Sequence, residues 1–246
     1  MLSGEWRIFQ RRDGHRYSTD DLLCAWFGAQ ACAARGVAVG RALDLGSGIG
    51  SIAMMIAWKH PAARVVAVEA QTISADLLAR SLRYNGAADR VELRRGDLRD
   101  ESIAPERGAF ELVTASPPYF DEADGVVSTL PQRGPCRFEQ RGGVEGYAVA
   151  GARALAPRGV MAVVHTWAAR DRVVAATHAA GLDVVVVRPV VLREGRDPHL
   201  GLYELCHPGA RPREASPSPL VIREGDSERA RSTEYAAARA WMGFPP

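Results

Sequence analysis

The sequence has few of the features that mark a disulfide-stabilised protein, a zinc protein or a membrane protein. Its four cysteines are widely spaced and form no C-x-x-C pair, which argues against a disulfide framework and a zinc site. No run reaches the roughly 18 apolar residues that a membrane-spanning helix needs, and the charged N-terminus is unlike a signal peptide. We therefore expect a cytoplasmic protein that binds no metal.

The chain also lacks a strong net charge, and Lys59 is its only lysine. The net charge of +2 is too weak to indicate a nucleic-acid partner by itself. Apolar residues make up 47% and charged residues 24% of the 246 residues, as in an average globular protein. This length and composition predict one domain spanning residues 1–246, with a sizeable core.

Short apolar runs alternate with segments of helical spacing along most of the chain. This alternation predicts an α/β fold with a mostly parallel sheet and helices on both faces. Residues 1–40 are expected to form a mostly helical extension, followed by the sheet and its helices in residues 41–246. The predicted strands are Arg41–Leu45, Arg64–Glu69, Val91–Arg94, Phe110–Ala115, Gly159–His165 and Asp183–Arg188. The predicted helices within this alternation are Ser51–Lys59 and Ile73–Tyr84.

A glycine-rich turn joins the first predicted strand to the helix that follows it. Its sequence, residues 44–50, reads D-L-G-S-G-I-G, an acid followed by glycines in G-x-G-x-G spacing. Glycines at such a turn permit positive φ and let a ligand approach the backbone closely. The pattern resembles the first motif of S-adenosylmethionine-dependent methyltransferases, and not the G-x-G-x-x-G of dinucleotide-binding folds.

Two further acids follow the next two predicted strands. Glu69 closes one strand, where its carboxylate could accept hydrogen bonds from both hydroxyls of a ribose. Asp97 follows the other, where it could accept one from the amino group of an adenine. Because the carboxyl ends of parallel strands share one edge of the sheet, we expect Asp44, Glu69 and Asp97 to lie along that edge.

A Ser-Pro-Pro-Tyr sequence, residues 116–119, follows the fourth predicted strand. Pro117 and Pro118 remove backbone donors, so the Ser116 oxygen and the Pro117 carbonyl could accept both protons of an exocyclic amine. Tyr119 could stack on a planar base. The sequence resembles the (Asp/Asn/Ser)-Pro-Pro-(Tyr/Phe/Trp) motif of methyltransferases that act on amino groups.

The resemblance to one family extends over nearly the whole chain. The sequence is similar to the bacterial tRNA adenine N6-methyltransferases that modify the adenine beside the anticodon of a valine tRNA. The similarity implies a Rossmann-like class I methyltransferase fold, with a seven-stranded sheet whose last strand is antiparallel. It also implies that Thr19 and Asp20 lie near S-adenosylmethionine. The segments that carry the similarity are Gly14–Leu23, Thr129–Arg133, Cys136–Glu139, Pro219–Glu224 and Ser232–Tyr235.

These patterns together predict the residues of an active site. The residues expected to act in catalysis are Ser116, Pro117, Pro118 and Tyr119. The residues expected to bind the cofactor are Thr19, Asp20, Asp44, Gly46, Ser47, Gly48, Gly50, Glu69, Asp97 and Ser116. The loop of residues 121–142 is expected to shape the substrate site.

The target of methylation is left open at this point, because the related tRNA enzymes usually have asparagine where this chain has Ser116. Cytosine N4-methyltransferases that act on DNA carry serine there, so methylation of an amine is still expected. The alternatives are a protein glutamine amide, a small-molecule amine, or a cofactor-binding module without activity. For a tRNA partner, we expect phosphate contacts from Arg7, Arg11, Arg12 and Arg16, and contacts near the base from Arg133 and Arg137.

Overall fold

The computed structural model describes residues 1–14, 16–119, 142–210, 217–225 and 230–245. Within these residues a single sheet carries helices on both faces, which confirms the predicted α/β class. The strands are β1 (Arg41–Leu45), β2 (Arg64–Glu69), β3 (Val91–Arg95), β4 (Phe110–Ala115), β5 (Leu155–Thr166), β6 (Asp183–Val191), β7 (Leu200–Cys206) and β8 (Leu220–Val221). The α-helices are α1 (Thr19–Ala34), α2 (Ser51–Lys59), α3 (Thr72–Tyr84), α4 (Val144–Ala154), α5 (Arg170–Ala179) and α6 (Thr233–Trp241).

The strands lie in the order β3-β2-β1-β4-β5-β7-β6-β8. Strand β7 runs antiparallel to both of its neighbours, and the other adjacent pairs are parallel. The expected count of seven strands is wrong for the described part of the chain, which has 8. The additional strand β8 has two residues and pairs in parallel with β6 at the sheet edge, so the antiparallel strand is the seventh and not the last.

The hydrophobic runs locate six of these strands correctly. Strands β1, β2 and β4 have the predicted bounds, whereas β5 begins at Leu155 because it continues directly from the end of α4. Strand β7 is not apparent from the pattern of apolar residues, since it contains a glycine, a tyrosine and the buried Glu204.

Side chains of the central strands alternate between two hydrophobic layers. In β1, Leu43 and Leu45 pack into the layer that contains residues of α4 and α5. Ala42 packs into the other layer, together with residues of α1, α2, α3 and α6. Because strands such as β1 are covered on both faces, they are nearly continuous in apolar residues, as expected for a parallel sheet.

The N-terminal segment is less helical than predicted, because α1 begins only at Thr19. The described residues before it lie outside helices, and residues 7–9 run along the end of α3. There the backbone N–H of Arg7 donates to the Asn85 Oδ1 (2.8 Å), and that of Phe9 donates to the Ser81 Oγ (3.0 Å). These side chains satisfy backbone donors that a helix would otherwise satisfy internally.

Helix α1 packs directly on the sheet and carries its N-terminus to the carboxyl ends of the strands. At Gly28 the helix comes so close that a Cβ atom would lie 2.9 Å from the Cβ of Ala162 and 3.0 Å from the Cδ1 of Leu112. Only a residue without a side chain leaves room for this approach. The small residue therefore fixes the distance between α1 and strands β4 and β5.

The strand order reverses direction between β1 and β4, which defines the topological switch point of the sheet. In open α/β sheets, ligands bind outside the carboxyl ends of the strands at such a point.

The described part of the chain contains no helix with the length and hydrophobicity of a membrane span.

We expect Gly28→Val to destabilise the fold by about 1–3 kcal/mol, because the added methyl groups overpack the contact between α1 and the sheet. Urea unfolding followed by circular dichroism measures this change. The matched control is Ala33→Val on the exposed side of the same helix, which should lose less than about 1 kcal/mol through helix propensity alone. Equal losses in the two variants would contradict the role assigned to Gly28.

Candidate functional site

A cavity of about 460 Å³ lies at the switch point, at the carboxyl ends of the central strands. We call it the switch-point pocket. Its volume is within the range of about 300–1,000 Å³ that is typical of small-molecule sites. Its lining includes seven of the predicted cofactor residues and all four of the predicted catalytic residues. These are Asp20, Gly46, Ser47, Gly48, Glu69, Asp97, Ser116, Pro117, Pro118 and Tyr119, with Ser116 in both groups.

The glycine turn between β1 and α2 has left-handed backbone at three positions, with φ of +65° at Gly46, +55° at Gly48 and +87° at Gly50. A Cβ at Gly48 would meet no atom within 4 Å, so the backbone there is open to a ligand. Gly50 does not line the pocket. A Cβ at Gly50 would instead meet the Cδ1 of Leu78 at 2.1 Å, so this glycine serves the packing of α2 against α3.

Glu69 holds the glycine turn against the end of β2. Its Oε2 accepts from the backbone N–H of Gly48 (2.7 Å), and its Oε1 accepts from that of Gln71 (2.6 Å). The side chain lines the pocket although the residue is only 5% exposed. Glu69 therefore brings carboxylate oxygens, which are hydrogen-bond acceptors, to the pocket.

Asp44 does not line the switch-point pocket, contrary to the sequence-based expectation. It is buried beneath the glycine turn, where its Oδ1 accepts from the Thr114 hydroxyl (2.7 Å) and its Oδ2 from the backbone N–H of Ala53 (3.2 Å). Burial raises the pKa of this carboxyl to about 6, and the hydrogen bonds from Ser47 and Thr114 oppose that rise. The residue braces the turn from below.

Asp97 lines the pocket, and its carboxylate is already held by a neighbour. The Arg99 guanidinium donates to Oδ1 (2.9 Å) and to Oδ2 (2.6 Å), and the Arg99 backbone N–H also donates to Oδ1 (2.9 Å). An adenine amino group would therefore donate to a carboxylate that is already paired with Arg99.

The N-terminus of α1 brings two adjacent acids to the pocket, of which the sequence patterns predict only one. Asp20 and Asp21 both line the cavity. The Asp21 Oδ2 accepts from the Ser51 hydroxyl (2.8 Å) and from the backbone N–H of Ser18 (3.2 Å). Burial, and then the negative charge of Asp20, raise the pKa of Asp21 to about 7. Thr19 does not line the pocket, and its hydroxyl contacts the Tyr235 hydroxyl instead (3.4 Å).

The proline motif leaves the end of β4 and also lines the pocket. The Tyr119 hydroxyl donates to the Oδ2 of Asp20 (2.7 Å). The tyrosine ring lies beside the His165 ring, with 5.1 Å between centroids and a 59° tilt. Burial and the charge of Asp20 raise the pKa of this phenol well above its ordinary value, so it remains a hydrogen-bond donor.

Acidic groups dominate the charged lining of the pocket. Asp20, Asp21, Glu69 and Asp97 line it, and neither lysine nor arginine does so among the described residues. Such a lining suits a ligand that carries positive charge and disfavours a pyrophosphate. S-adenosylmethionine fits these donors and acceptors, because it has an amine, a sulfonium and two ribose hydroxyls.

Several lining residues were not predicted from the sequence. Thr166 ends β5, and His199 directly precedes β7. Their proximity depends on the antiparallel pairing of β5 with β7, which the apolar pattern does not reveal. Other unpredicted lining residues, which lie near the predicted ones, include Ser18, Asp21, Ser51 and Tyr147.

The expected RNA-contacting residues are only partly described. The loop of residues 121–141, with Arg133 and Arg137, lies outside the described residues, whereas Gly142 lines the pocket. Arg7 lies beside Asn85 at the far end of α3. That helix has 13 residues, so at about 1.5 Å per residue its ends are about 20 Å apart. Arg12 and Arg16 are exposed and precede the pocket residue Ser18.

Comparison with known proteins agrees with this geometry. A family model described as "Methyltransferase small domain" matches residues 29–143. A predicted O-methyltransferase from Agrobacterium tumefaciens has the same fold, with a TM-score of 0.69 and 20% identity over 92% of this chain and 98% of that one. The fold and the family model identify the chain as a class I S-adenosylmethionine-dependent methyltransferase.

Relatives narrow this class to one family. The tRNA1(Val) (adenine(37)-N6)-methyltransferase of Aeromonas hydrophila is 30% identical over 82% of this chain and 80% of its own length. That of Porphyromonas gingivalis is 31% identical over 61% of this chain, and the match spans 58% of the relative. A release factor glutamine methyltransferase of Xylella fastidiosa is 33% identical over 64% of this chain and 57% of its own. The chain belongs to the tRNA1(Val) (adenine(37)-N6)-methyltransferase family.

We expect Glu69→Ala to weaken S-adenosylmethionine binding at least about tenfold. The change removes charged acceptors, which contribute about 1.5–3 kcal/mol per hydrogen bond, and it releases the Gly48 backbone. Isothermal titration calorimetry measures the affinity. The control is Glu92→Ala on the neighbouring strand, outside the pocket, which should keep wild-type affinity. Unchanged binding in Glu69→Ala would refute the placement of the ribose.

We expect the stability of the fold to depend on pH through Asp21. Its pKa is raised from 3.8 to about 7, so the folded state favours the protonated carboxyl of Asp21. The contribution of this protonated form to the free energy of unfolding is fully present below pH 3.8 and is lost as pH rises through about 7. From about pH 5 to about pH 8, the wild type should lose at least about 1.4 kcal/mol relative to Asp21→Asn, the equivalent of one pKa unit. Urea unfolding at both pH values tests this, with the exposed Asp89→Asn as control. A constant difference between wild type and Asp21→Asn would contradict it.

Proposed function

We propose that the protein is a single-domain enzyme that transfers a methyl group from S-adenosylmethionine to the N6 amino group of an adenine in tRNA. The observation that carries the proposal is the Ser-Pro-Pro-Tyr motif, which lines the same pocket as the glycine turn and Glu69. One cavity thus offers acceptors for a cationic cofactor and acceptors for an amine.

Separate groups of lining residues would bind the cofactor and the target. The glycine turn with Glu69, together with residues 96–98, would hold the cofactor, whose sulfonium supplies an electrophilic methyl group. Ser116, Pro117 and Tyr119, which follow β4, would hold the target, together with Thr166 and His199 at the ends of the neighbouring strands β5 and β7. Residues contributed by separate strands therefore meet across one small space.

The motif is suited to orient an amine. Pro117 and Pro118 have no backbone N–H, so donors do not compete for the Ser116 oxygen and the Pro117 carbonyl. These two acceptors would engage both N–H groups and direct the nitrogen lone pair toward the methyl group. Positioning of this kind can supply roughly 7–11 kcal/mol of barrier reduction, and the amine can lose its proton after attack.

Tyr119 would hold the base against the pocket wall. Stacking of a base on an aromatic ring contributes about 1–3 kcal/mol and is open to any planar group. The tilted contact with His165 and the hydrogen bond to Asp20 hold the ring in place from the protein side. A base within an anticodon arm would have to leave its stack to reach this ring.

The tRNA partner is supported by the family and by the position of two arginines. Arg12 and Arg16 lie close in sequence to Ser18 on the pocket rim and are exposed, so they can reach phosphates near a bound base. Arg7 lies beside the other end of α3, about 20 Å along the helix from its pocket end, so it could contact only phosphates farther from the base. Because the net charge is only +2, binding would depend on such local groups.

The second candidate substrate is a protein glutamine, because glutamine methyltransferases are also among the relatives. A glutamine amide is planar and carries two N–H groups, as the adenine amino group does. The motif alone does not separate these two targets.

We expect total tRNA incubated with labelled S-adenosylmethionine to yield labelled N6-methyladenosine after digestion to nucleosides. Tyr119→Ala should lower turnover at least about tenfold and leave cofactor affinity within about twofold, because the stacking energy acts on the substrate. The exposed Tyr84→Ala, outside the pocket, serves as the control. Label in a glutamine-containing release-factor peptide, with none in tRNA, would replace the proposed substrate by the second candidate.

A further inference from the structure

An exposed basic surface lies on the part of α3 that is farther from the switch-point pocket. Arg80 and Arg83 are exposed on this helix, and their i, i+3 spacing makes them neighbours on one face. At about 1.5 Å per residue, they lie about 12 Å and about 17 Å along the helix from Thr72, which follows the pocket residue Gln71. Neither arginine lines the pocket, so the transfer of the methyl group does not involve them.

The N-terminal segment adds a third arginine to this surface. The backbone of Arg7 is bound to the Asn85 side chain through both its N–H (2.8 Å) and its carbonyl (2.7 Å), which anchors this exposed residue beside the end of α3. The Arg80 guanidinium lies 4.2 Å from the centroid of the Phe9 ring, which packs edge-on against Tyr84 at 5.5 Å. A guanidinium held over a ring keeps the N–H donors at its edge available to an anion.

We call Arg7, Arg80 and Arg83 the distal arginine surface. Among the described residues, none of the three forms an ion pair with a carboxylate. The acid one turn before Arg80 on the same helix is Asp76, which is paired with Arg95 (2.7 Å). The distal arginine surface therefore presents three positive charges that no described carboxylate neutralises by direct contact.

The N-terminal segment connects this surface with the pocket. The segment passes the far end of α3, and the N–H of Phe9 then donates to the Ser81 Oγ (3.0 Å), one helical turn closer to the pocket. The same segment reaches the pocket at Ser18, and the exposed Arg12 and Arg16 lie between the two positions. Positively charged side chains thus follow the chain from the distal arginine surface to the pocket rim.

We propose that the distal arginine surface binds phosphates of the RNA substrate that lie several nucleotides away from the methylated base. The inference rests on the proposed function, because it names a second contact of the same substrate. A nucleic acid carries a charge at every nucleotide, so its phosphates continue beyond a base that is held in the pocket. The planar guanidinium matches phosphate oxygens, and such contacts position an RNA without reading its sequence. A small-molecule amine would not extend to this surface.

The test is a triple variant with Arg7→Gln, Arg80→Gln and Arg83→Gln, assayed on a transcript of a valine tRNA. We expect KM for the tRNA to rise at least about tenfold, as for the loss of one charged hydrogen bond or more. The log–log dependence of affinity on salt should become shallower by about 2 to 3, because each lost phosphate contact contributes about 0.7–0.9. At saturating tRNA, kcat should stay within about twofold of the wild type, since these groups lie outside the pocket.

Hydroxyl-radical footprinting of the RNA backbone locates the contact. At protein concentrations that saturate the tRNA, the triple variant should lose protection at nucleotides away from the target adenine and retain it beside that adenine. Loss of protection only beside the adenine would overturn the proposal, because the arginines would then act at the pocket.

The matched control is a second triple variant with Arg64→Gln, Arg107→Gln and Arg158→Gln. These arginines are exposed near the amino-terminal ends of β2, β4 and β5, at the edge of the sheet opposite the pocket. The control removes the same charge from the chain and should keep the wild-type KM and salt dependence within about twofold. Equal losses in the two triple variants would overturn the proposal, because only the net charge would then matter.

Calorimetry of cofactor binding shows whether the triple variant keeps its fold. If it does not, Arg83→Gln replaces it, because the Arg83 side chain forms no hydrogen bond or ion pair among the described residues. This single change should raise KM about threefold and make the salt dependence shallower by about 0.7–0.9. An unchanged KM and salt dependence in Arg83→Gln would overturn the proposal.

The proposed function and the distal arginine surface can fail separately. Wild-type protein that methylates adenine in tRNA, with a triple variant of unchanged KM, would refute the surface alone. Wild-type protein that methylates a release-factor peptide and no tRNA would refute the proposed function, and the RNA surface with it.

Discussion

The buried carboxylate of Asp44 is the interaction on which the pocket depends. It links β1, which carries it, to Thr114 of β4 and to the backbone of Ala53 in α2. These are the elements that diverge at the switch point, and the space between them becomes the pocket. Loss of this carboxylate would remove a hydrogen-bond acceptor from two buried donors, the Thr114 hydroxyl and the Ala53 N–H. Each lost hydrogen bond would lower the stability of the fold by about 1–3 kcal/mol. The glycine turn above Asp44 would also lose its support.

The sequence predicts most of the fold because the central strands are buried on both faces. Strands β1, β2 and β4 are covered by helices on each side, so their composition alone sets their bounds. Strand β7 escapes prediction because Glu204, which is fully buried within it, is paired with Arg35 at the end of α1. From the sequence alone, a buried charged residue whose partner is distant in the chain looks the same as a charged residue at the surface. The two-residue β8 is too short to leave a pattern.

The sequence predicts which residues line the pocket where an acid or a proline follows a strand, and predicts fewer of them where contacts between distant residues decide. Glu69 and the proline motif line the pocket because the carboxyl ends of parallel strands share one edge. Asp44 follows the same rule but points beneath the turn, where Thr114 engages it. Asp21 could have been anticipated only from Ser18, three residues earlier, as the partner in a helix cap. Its burial depends on Ser51 of α2, which no local pattern shows.

The raised pKa values of Asp21 and Asp44 show that the charged forms of these carboxyls oppose folding. Each unit of such a shift corresponds to about 1.4 kcal/mol, which is a large part of the stability of a typical domain. Hydrogen bonds from Ser51 and Thr114 offset only part of it, since the shifts remain after these bonds are formed. A cation in the pocket would stabilise the same charges by attraction. The arrangement is therefore better suited to a protein that holds a positively charged ligand than to one whose pocket serves only its own fold.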